Sequence, residues 1–124
     1  MCGFDTRRTR YSSSPQKDAS KSTHYCVVRQ DLPTGTLAAQ LIHAAGESAP
    51  LGGVPTGTFA VALGARSLDE LQTIERRLLE HGIPHQAVRE PDAPWNGELM
   101  AIGIEPLEDR SRLKKITSSL PLLK

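Results

Sequence analysis

Tyr25-Cys26-Val27-Val28-Arg29 is a β-branched and aromatic run that stops at Asp31-Leu32-Pro33, and apolar residues then recur at three- and four-residue spacing as Leu37, Leu41, Ala44 and Ala45. A strand that breaks at a proline turn and passes straight into an amphipathic helix opens a β-α-β unit. The alternation then repeats. Thr58 to Leu63 reads as a second strand. Ser67-Leu68-Asp69-Glu70 reads as a capping box, with Ser67 accepting from the Glu70 amide and the Glu70 carboxylate reaching back to the Ser67 amide. Leu68, Leu71, Ile74, Leu78 and Leu79 supply the apolar face of the helix it opens, and Gly82 the left-handed residue that closes it. Ile83 to Arg89 predicts a third strand and Leu99 to Ile104 a fourth, separated by a loop from Glu90 to Glu98. Pro106 fits the first turn of a last helix, Leu107 to about Ile116. The order β-α-β-α-β-β-α predicts a small α/β fold, a mixed four-stranded sheet flanked by helices, with parallel crossovers and one antiparallel pair from strand three to strand four.

With 124 residues, 38% of them hydrophobic, the chain can bury one ordinary core. That core is expected over residues 24–124. Residues 1–23 carry Arg7, Arg8, Arg10, Lys17 and Lys21 among Ser, Thr and Gln, and read as a disordered tail, with an organellar transit peptide as the alternative. The 15 Lys and Arg balance 14 Asp and Glu, which excludes a polycation of the histone kind, so any nucleic-acid contact needs a local basic patch. The densest in the folded part is Arg110, Arg112, Lys114 and Lys115, joined by Lys124; interleaved with Glu108 and Asp109, it reads equally as a solvated face. Two cysteines, Cys2 and Cys26, argue for a reducing compartment and against a disulfide scaffold. His24, His43, His81 and His85 have no cysteine pair near them, and neither a metal nor a cofactor is expected. Without an apolar run of membrane-spanning length, a soluble cytoplasmic protein with no membrane partner is expected, its oligomeric state, a homodimer included, left open.

Arg29-Gln30-Asp31-Leu32-Pro33-Thr34-Gly35-Thr36-Leu37-Ala38-Ala39-Gln40-Leu41-Ile42-His43-Ala44-Ala45 resembles the signature of the type 2 peptidyl-tRNA hydrolase family, roughly R-x-D-L-x-x-G-K-x-A-A-Q-x-x-H-A-A. The likeness continues through Gly82-Ile83-Pro84, an acidic loop at Asp92, Ala101-Ile102-Gly103, and Ile116-Thr117-Ser118-Ser119-Leu120-Pro121-Leu122-Leu123, where the family often reads V-T-x-x-L-K-L-L. The resemblance implies the family's fold, tRNA as partner, and hydrolysis of the ester between a peptide and tRNA. Three departures accompany it. The lysine after the motif glycine is Thr36; the D-A-G-x-T loop is Asp92-Ala93-Pro94-Trp95; and the position of a second threonine, ahead of the last strand, aligns with Glu98. The family's extra helix after the first helix is reduced to the loop 48–57.

Ester hydrolysis needs an activated water, donors for an oxyanion and a grip on phosphate. Asp92 is the candidate to orient or deprotonate the water, with Gln40 and His43 projecting from the first helix toward the same edge; the alternatives are a capping Asp92 and a His43 bonded to a neighbouring loop. Thr34, Gly35 and Thr36 offer free amides at that helix's N-terminus, and Gly35 lets a ligand come close. Thr36 stands where the family's catalytic lysine would be and carries no charge. Arg29 is the candidate replacement cation or else one half of a surface salt bridge. Trp95 is read as a platform for the terminal adenine of tRNA or as a lid packed on the sheet. The alternative to a hydrolase is a non-catalytic RNA-binding module on the same scaffold.

Overall fold

A computed structural model describes residues 21–124. Seven elements follow in the order β1 (Thr23–Arg29), α1 (Thr34–Ser48), β2 (Phe59–Ala65), α2 (Leu68–Glu80), β3 (His85–Glu90), β4 (Glu98–Leu107) and α3 (Ser111–Thr117). The sheet runs β2-β1-β4-β3. Only β1 and β2 pair in parallel; β4 is antiparallel to both β1 and β3. The mixed α/β class and element order match the sequence expectation. The single antiparallel pair does not, because β4 returns between β1 and β3 and forms two such ladders. Of the tail read over residues 1–23, Ser22 and Thr23 are buried, with Thr23 opening β1, Lys21 is exposed, and residues 1–20 lie outside the described residues.

Alternation along the strands makes two apolar layers. On one face α1 covers Cys26, Val28, Val88, Met100 and Ala101. On the other, α2 and α3 bring Leu71, Ile74, Leu78, Leu113 and Ile116 against Val27, Leu63, Ile102 and Ile104. The three buried α2 residues follow one another at three- and four-residue spacing, and each contributes about 1.5–3 kcal/mol by leaving water. Leu79, assigned to that face from sequence, is 65% exposed because it lies beyond the stripe. Ser67 caps α2 by accepting from the Glu70 amide at 3.3 Å, whereas the Glu70 carboxylate reaches one residue further back than expected, to the Arg66 amide at 2.7 Å. Gly82 closes the helix at φ 65°, and the Ile83 amide returns to the Leu78 carbonyl.

β4 carries two irregularities, one of them near the candidate site. Val88 faces Ala101 and Arg89 faces Leu99, so Met100 is an extra residue in β4, and Met100 and Ala101 both pack on the α1 side. At the other end Tyr25 faces Ile104 and Thr23 faces Leu107, leaving Glu105 and Pro106 opposite one residue of β1. A proline cannot donate to a ladder, and a bulge is where a strand tolerates one. Pro106 therefore sits in β4 rather than opening the last helix, which starts only at Ser111.

Gly103 lies against α1, where an added Cβ would run into the Ala44 carbonyl oxygen and Ser48 Oγ. The free edge of β2 is covered by the C-terminal segment: Gly64 donates to the Pro121 carbonyl, Leu123 donates to the Ala62 carbonyl, and Leu63 bridges Leu122.

Candidate functional site

Arg29 ends β1, where the strand gives way to the Asp31-Leu32-Pro33 turn. Its guanidinium is buried and donates from all three nitrogens: Nε and Nη2 to the Asp31 carboxylate at 3.0 and 2.8 Å, Nη1 to Glu98 Oε1 at 2.8 Å and to the Leu99 carbonyl at 3.3 Å. The fork on Asp31 is the strong bidentate geometry. It holds the Asp31 carboxyl below its ordinary range and raises the arginine's own pKa, in both cases chiefly through that hydrogen bond. Two carboxylates thus meet one guanidinium. Of the two readings of Arg29, the ion pair is the one the geometry shows, buried rather than at the surface, and its charge is already matched inside the protein.

Gln40, on the second turn of α1, is buried and donates from Nε2 to Glu90 Oε1 at 3.2 Å. Its Oε1 is buried and has no hydrogen-bond partner among the described residues. The carboxylate fixes this orientation, because a flipped amide would set two acceptors against each other. Period 2 along β3 explains the contact: Val88 packs on the α1 layer, so Glu90 projects to the same side. Gln40, His43 and Glu47 line a cleft of about 270 Å³ with Val88, Arg89, Glu90 and Pro91. The Asp92 amide donates to the other Glu90 oxygen, Oε2, at 3.3 Å.

The loop after β3 is anchored through Asp92, whose carbonyl accepts from the Trp95 and Asn96 amides at 3.0 Å each, while its side chain stays exposed. Trp95 packs half-buried against the α1 layer, with the Arg29 guanidinium carbon 5.4 Å from its ring centroid. That packing is the lid reading of Trp95. Thr34 and Gly35 are exposed and Thr36 half-buried in the first turn of α1, which has no side-chain cap and no acidic residue there. Nothing stands within 4 Å of a Cβ placed on Gly35.

The structure brings together Gln40, His43 and, through Glu90, Asp92. It sets the basic cluster apart, because α3 packs with α2 on the sheet face opposite α1. Within the cluster Arg110 bonds the Tyr25 hydroxyl at 3.0 Å and Arg112 the His81 carbonyl at 2.8 Å, while Lys114 and Lys115 are exposed.

Sequence reading missed Glu90, which it placed in a loop; continuing the alternation from Val88 by one step finds it. It also missed His24, which is buried with Nε2 2.7 Å from Ser48 Oγ. Ser48 donates to the Ala44 carbonyl at 2.7 Å, so the histidine is assigned as the Nε2–H donor. Burial pushes the His24 pKa down and the neighbouring Cys26 thiol up to about 11, which keeps that thiol protonated.

No protein-family model matches the chain, and a search of curated proteins finds no match. Among solved structures it is similar to a protein of unknown function, Atu0240 from Agrobacterium tumefaciens strain C58, with a TM-score of 0.53 and 17% sequence identity over 85% of this chain and 99% of that one. That likeness concerns the fold: a mixed α/β domain with an open four-stranded sheet flanked by helices. No helix among the described residues is long and apolar enough to cross a membrane.

Proposed function

We propose that the chain hydrolyses the ester of peptidyl-tRNA or an N-blocked aminoacyl-tRNA, at the edge where α1 meets the loop after β3. The observation that carries this reading is contact between segments far apart in sequence. The stretch 29–45, which bears the family resemblance, reaches residues 90–98 through Arg29 to Glu98, Arg29 over Trp95, and Gln40 to Glu90. In this scheme Asp92, exposed on its anchored turn, orients a water against the ester carbonyl. The amides of Thr34, Gly35 and Thr36 face the developing oxyanion or a phosphate at the positive end of α1. The carbon–oxygen bond to the ribose breaks, the water oxygen joins the acyl carbon, and the departing ribose oxygen takes a proton. Gln40 and His43 line the adjoining wall. The test is to incubate purified protein with N-acetyl-aminoacyl-tRNA and follow release of the acyl group; release above the buffer rate is expected, and its loss in Asp92→Asn.

A non-catalytic tRNA-binding module is the second reading. It is favoured by Thr36, which supplies no charge, and by Arg29, whose charge is spent on Asp31 and Glu98. Under it tRNA is retained while the ester survives, and Lys114→Ala with Lys115→Ala lowers the salt dependence of binding by up to about two phosphates' worth.

A further inference from the structure

We propose that the pocket between α1 and β2 takes up a small uncharged apolar molecule, the size of a single ring, whose one hydroxyl or N–H group donates to His24 Nδ1. The pocket follows from how α1 lies on the sheet. The helix packs on β1, β4 and β3 and scarcely on β2. In the parallel ladder Ala62 stands beside Cys26 and Ala60 beside His24, so both alanines face the α1 side, where their small side chains leave a hollow next to the helix. Leu41 and Ala45 wall it from α1, on a flank other than the one that carries Gln40 and His43. His24 and Cys26 line its β1 side, and its volume is about 250 Å³.

His24 supplies the polar atom. The residue is 7% exposed, and its Nε2–H is committed to Ser48 Oγ, whose own proton goes to the Ala44 carbonyl. Nδ1 therefore carries a lone pair, to which no group among the described residues donates. That nitrogen is not sealed. Among the described residues Gln40 Oε1 is the one side-chain polar atom both shut off from solvent and without a partner, so Nδ1, equally without a partner, keeps open surface, and His24 opens on this pocket. Burial holds the ring below its ordinary pKa, so at neutral pH it is an uncharged acceptor.

The rest of the lining selects the ligand's body. It is apolar throughout and carries no charged side chain, with Cys26 held as the neutral thiol. An ion would give up its hydration there for no counter-charge, so the ligand is uncharged. A molecule that displaces solvent from Nδ1 without bringing a donor leaves that acceptor unmet and loses affinity, so the ligand carries an O–H or N–H. Size bounds it as well. An apolar cavity of about 150 Å³ already takes up benzene, whereas sites for drug-sized molecules begin at about 300 Å³. One ring with one donor fits between those limits.

Two sources supply this chemistry, a phenol and a cyclic alcohol. The inference goes beyond ester hydrolysis and does not depend on it, because binding is read on the protein alone. The full chain is titrated with phenol, cyclohexanol, anisole and benzoate while nuclear magnetic resonance follows the His24 ring and the methyl groups of Leu41, Ala45, Ala60 and Ala62. Phenol is expected to shift these signals saturably. Anisole, with the same ring and no donor, should bind about three- to tenfold more weakly, the usual worth of one neutral hydrogen bond, and benzoate should leave the signals in place. Cyclohexanol as effective as phenol identifies a general alcohol site; cyclohexanol without effect assigns it to a flat aromatic donor. His24→Phe keeps a ring and removes the acceptor, so phenol and anisole should then bind alike. Ala60→Leu, at an exposed position beside His24, should fill the hollow without disturbing the fold and weaken phenol at least about tenfold. No saturable shift with phenol, anisole or benzoate binding as tightly as phenol, an undiminished preference for phenol in a folded His24→Phe protein, or undiminished phenol affinity in Ala60→Leu each overturns the proposal.

Discussion

The Arg29 guanidinium lies over the Trp95 ring, 5.4 Å from its centroid, while its edges are occupied by Asp31 and Glu98. One side chain therefore ties the end of β1 to the turn before α1, to the start of β4 and to the loop after β3. Arg29→Met breaks all of these at once. Asp31 and Glu98 are 43% and 40% exposed and can rehydrate. The expected loss is accordingly about 1–2 kcal/mol rather than the 3–5 typical of a fully buried pair. Arg29→Lys recovers only part, since an ammonium cannot reproduce the fork on Asp31. Urea denaturation followed by the fluorescence of Trp95, the only tryptophan, measures both the stability change and the altered indole environment.

Gly103→Ala should destabilise the domain by about 1–3 kcal/mol, because the new methyl meets the Ala44 carbonyl and Ser48 Oγ at distances that force α1 away from the sheet. Thermal unfolding of the variant beside wild type decides this. A change within experimental scatter would mean that α1 sits further from β4 than described.

Two groups weaken the fold as pH falls, at different points on the acid side. His24 is buried, and its pKa lies below the ordinary 6.5 through desolvation, so the unfolded chain binds a proton that the folded chain resists. Its contribution is complete above 6.5 and is lost progressively as pH falls from there toward the folded value. Asp31 behaves in the same sense at lower pH: its pKa is depressed below 3.8 by Arg29, so the stability it adds is present above 3.8 and lost as pH drops through its folded value. Melting temperatures at about pH 7.5 and about pH 5 should differ more for wild type than for His24→Gln, while Asp31→Asn should flatten only the more acidic limb.

Thr36→Lys tests the departure from the family pattern at the first turn of α1. A positive donor beside Gly35 is expected to raise release of the acyl group from N-acetyl-aminoacyl-tRNA by about one to two decades, each ~1.4 kcal/mol of transition-state stabilisation being tenfold. Asp92→Asn in the lysine background should remove the gain. A wild-type chain that turns over faster than Thr36→Lys would show that this position has its own role here.

Much of the fold was legible because its signals are local. The Ser67 cap, the stripe Leu71, Ile74 and Leu78, and the left-handed Gly82 each depend on residues within one or two helical turns of one another. Pro106 misled for the converse reason: the bulge that accommodates it is made with β1, which no local pattern announces. Sheet order was likewise hidden, since hydrophobic alternation marks a strand without naming its neighbours. At the candidate site Gln40, His43 and Asp92 could be picked out from the motif, but Glu90 and the pairing of Arg29 with Glu98 arise from register between segments far apart in the chain. Charge made the rest hard to read: the sequence left Arg29 either a replacement cation or half of a surface ion pair, and the two carboxylates that neutralise it meet it only in three dimensions.

The position of β4 also orders events during synthesis. β1, α1 and β2 can pair as soon as they leave the ribosome, but β3 has no partner in the sheet until β4 arrives to join it to β1. The nascent chain therefore carries β3 unpaired, and the apolar face of α2 covered only by β1 and β2, until residues 98–107 emerge, and contacts of such long sequence separation slow folding. The strand that completes the sheet is also the one that delivers Glu98 to Arg29, so the candidate site assembles only in the last stage of folding.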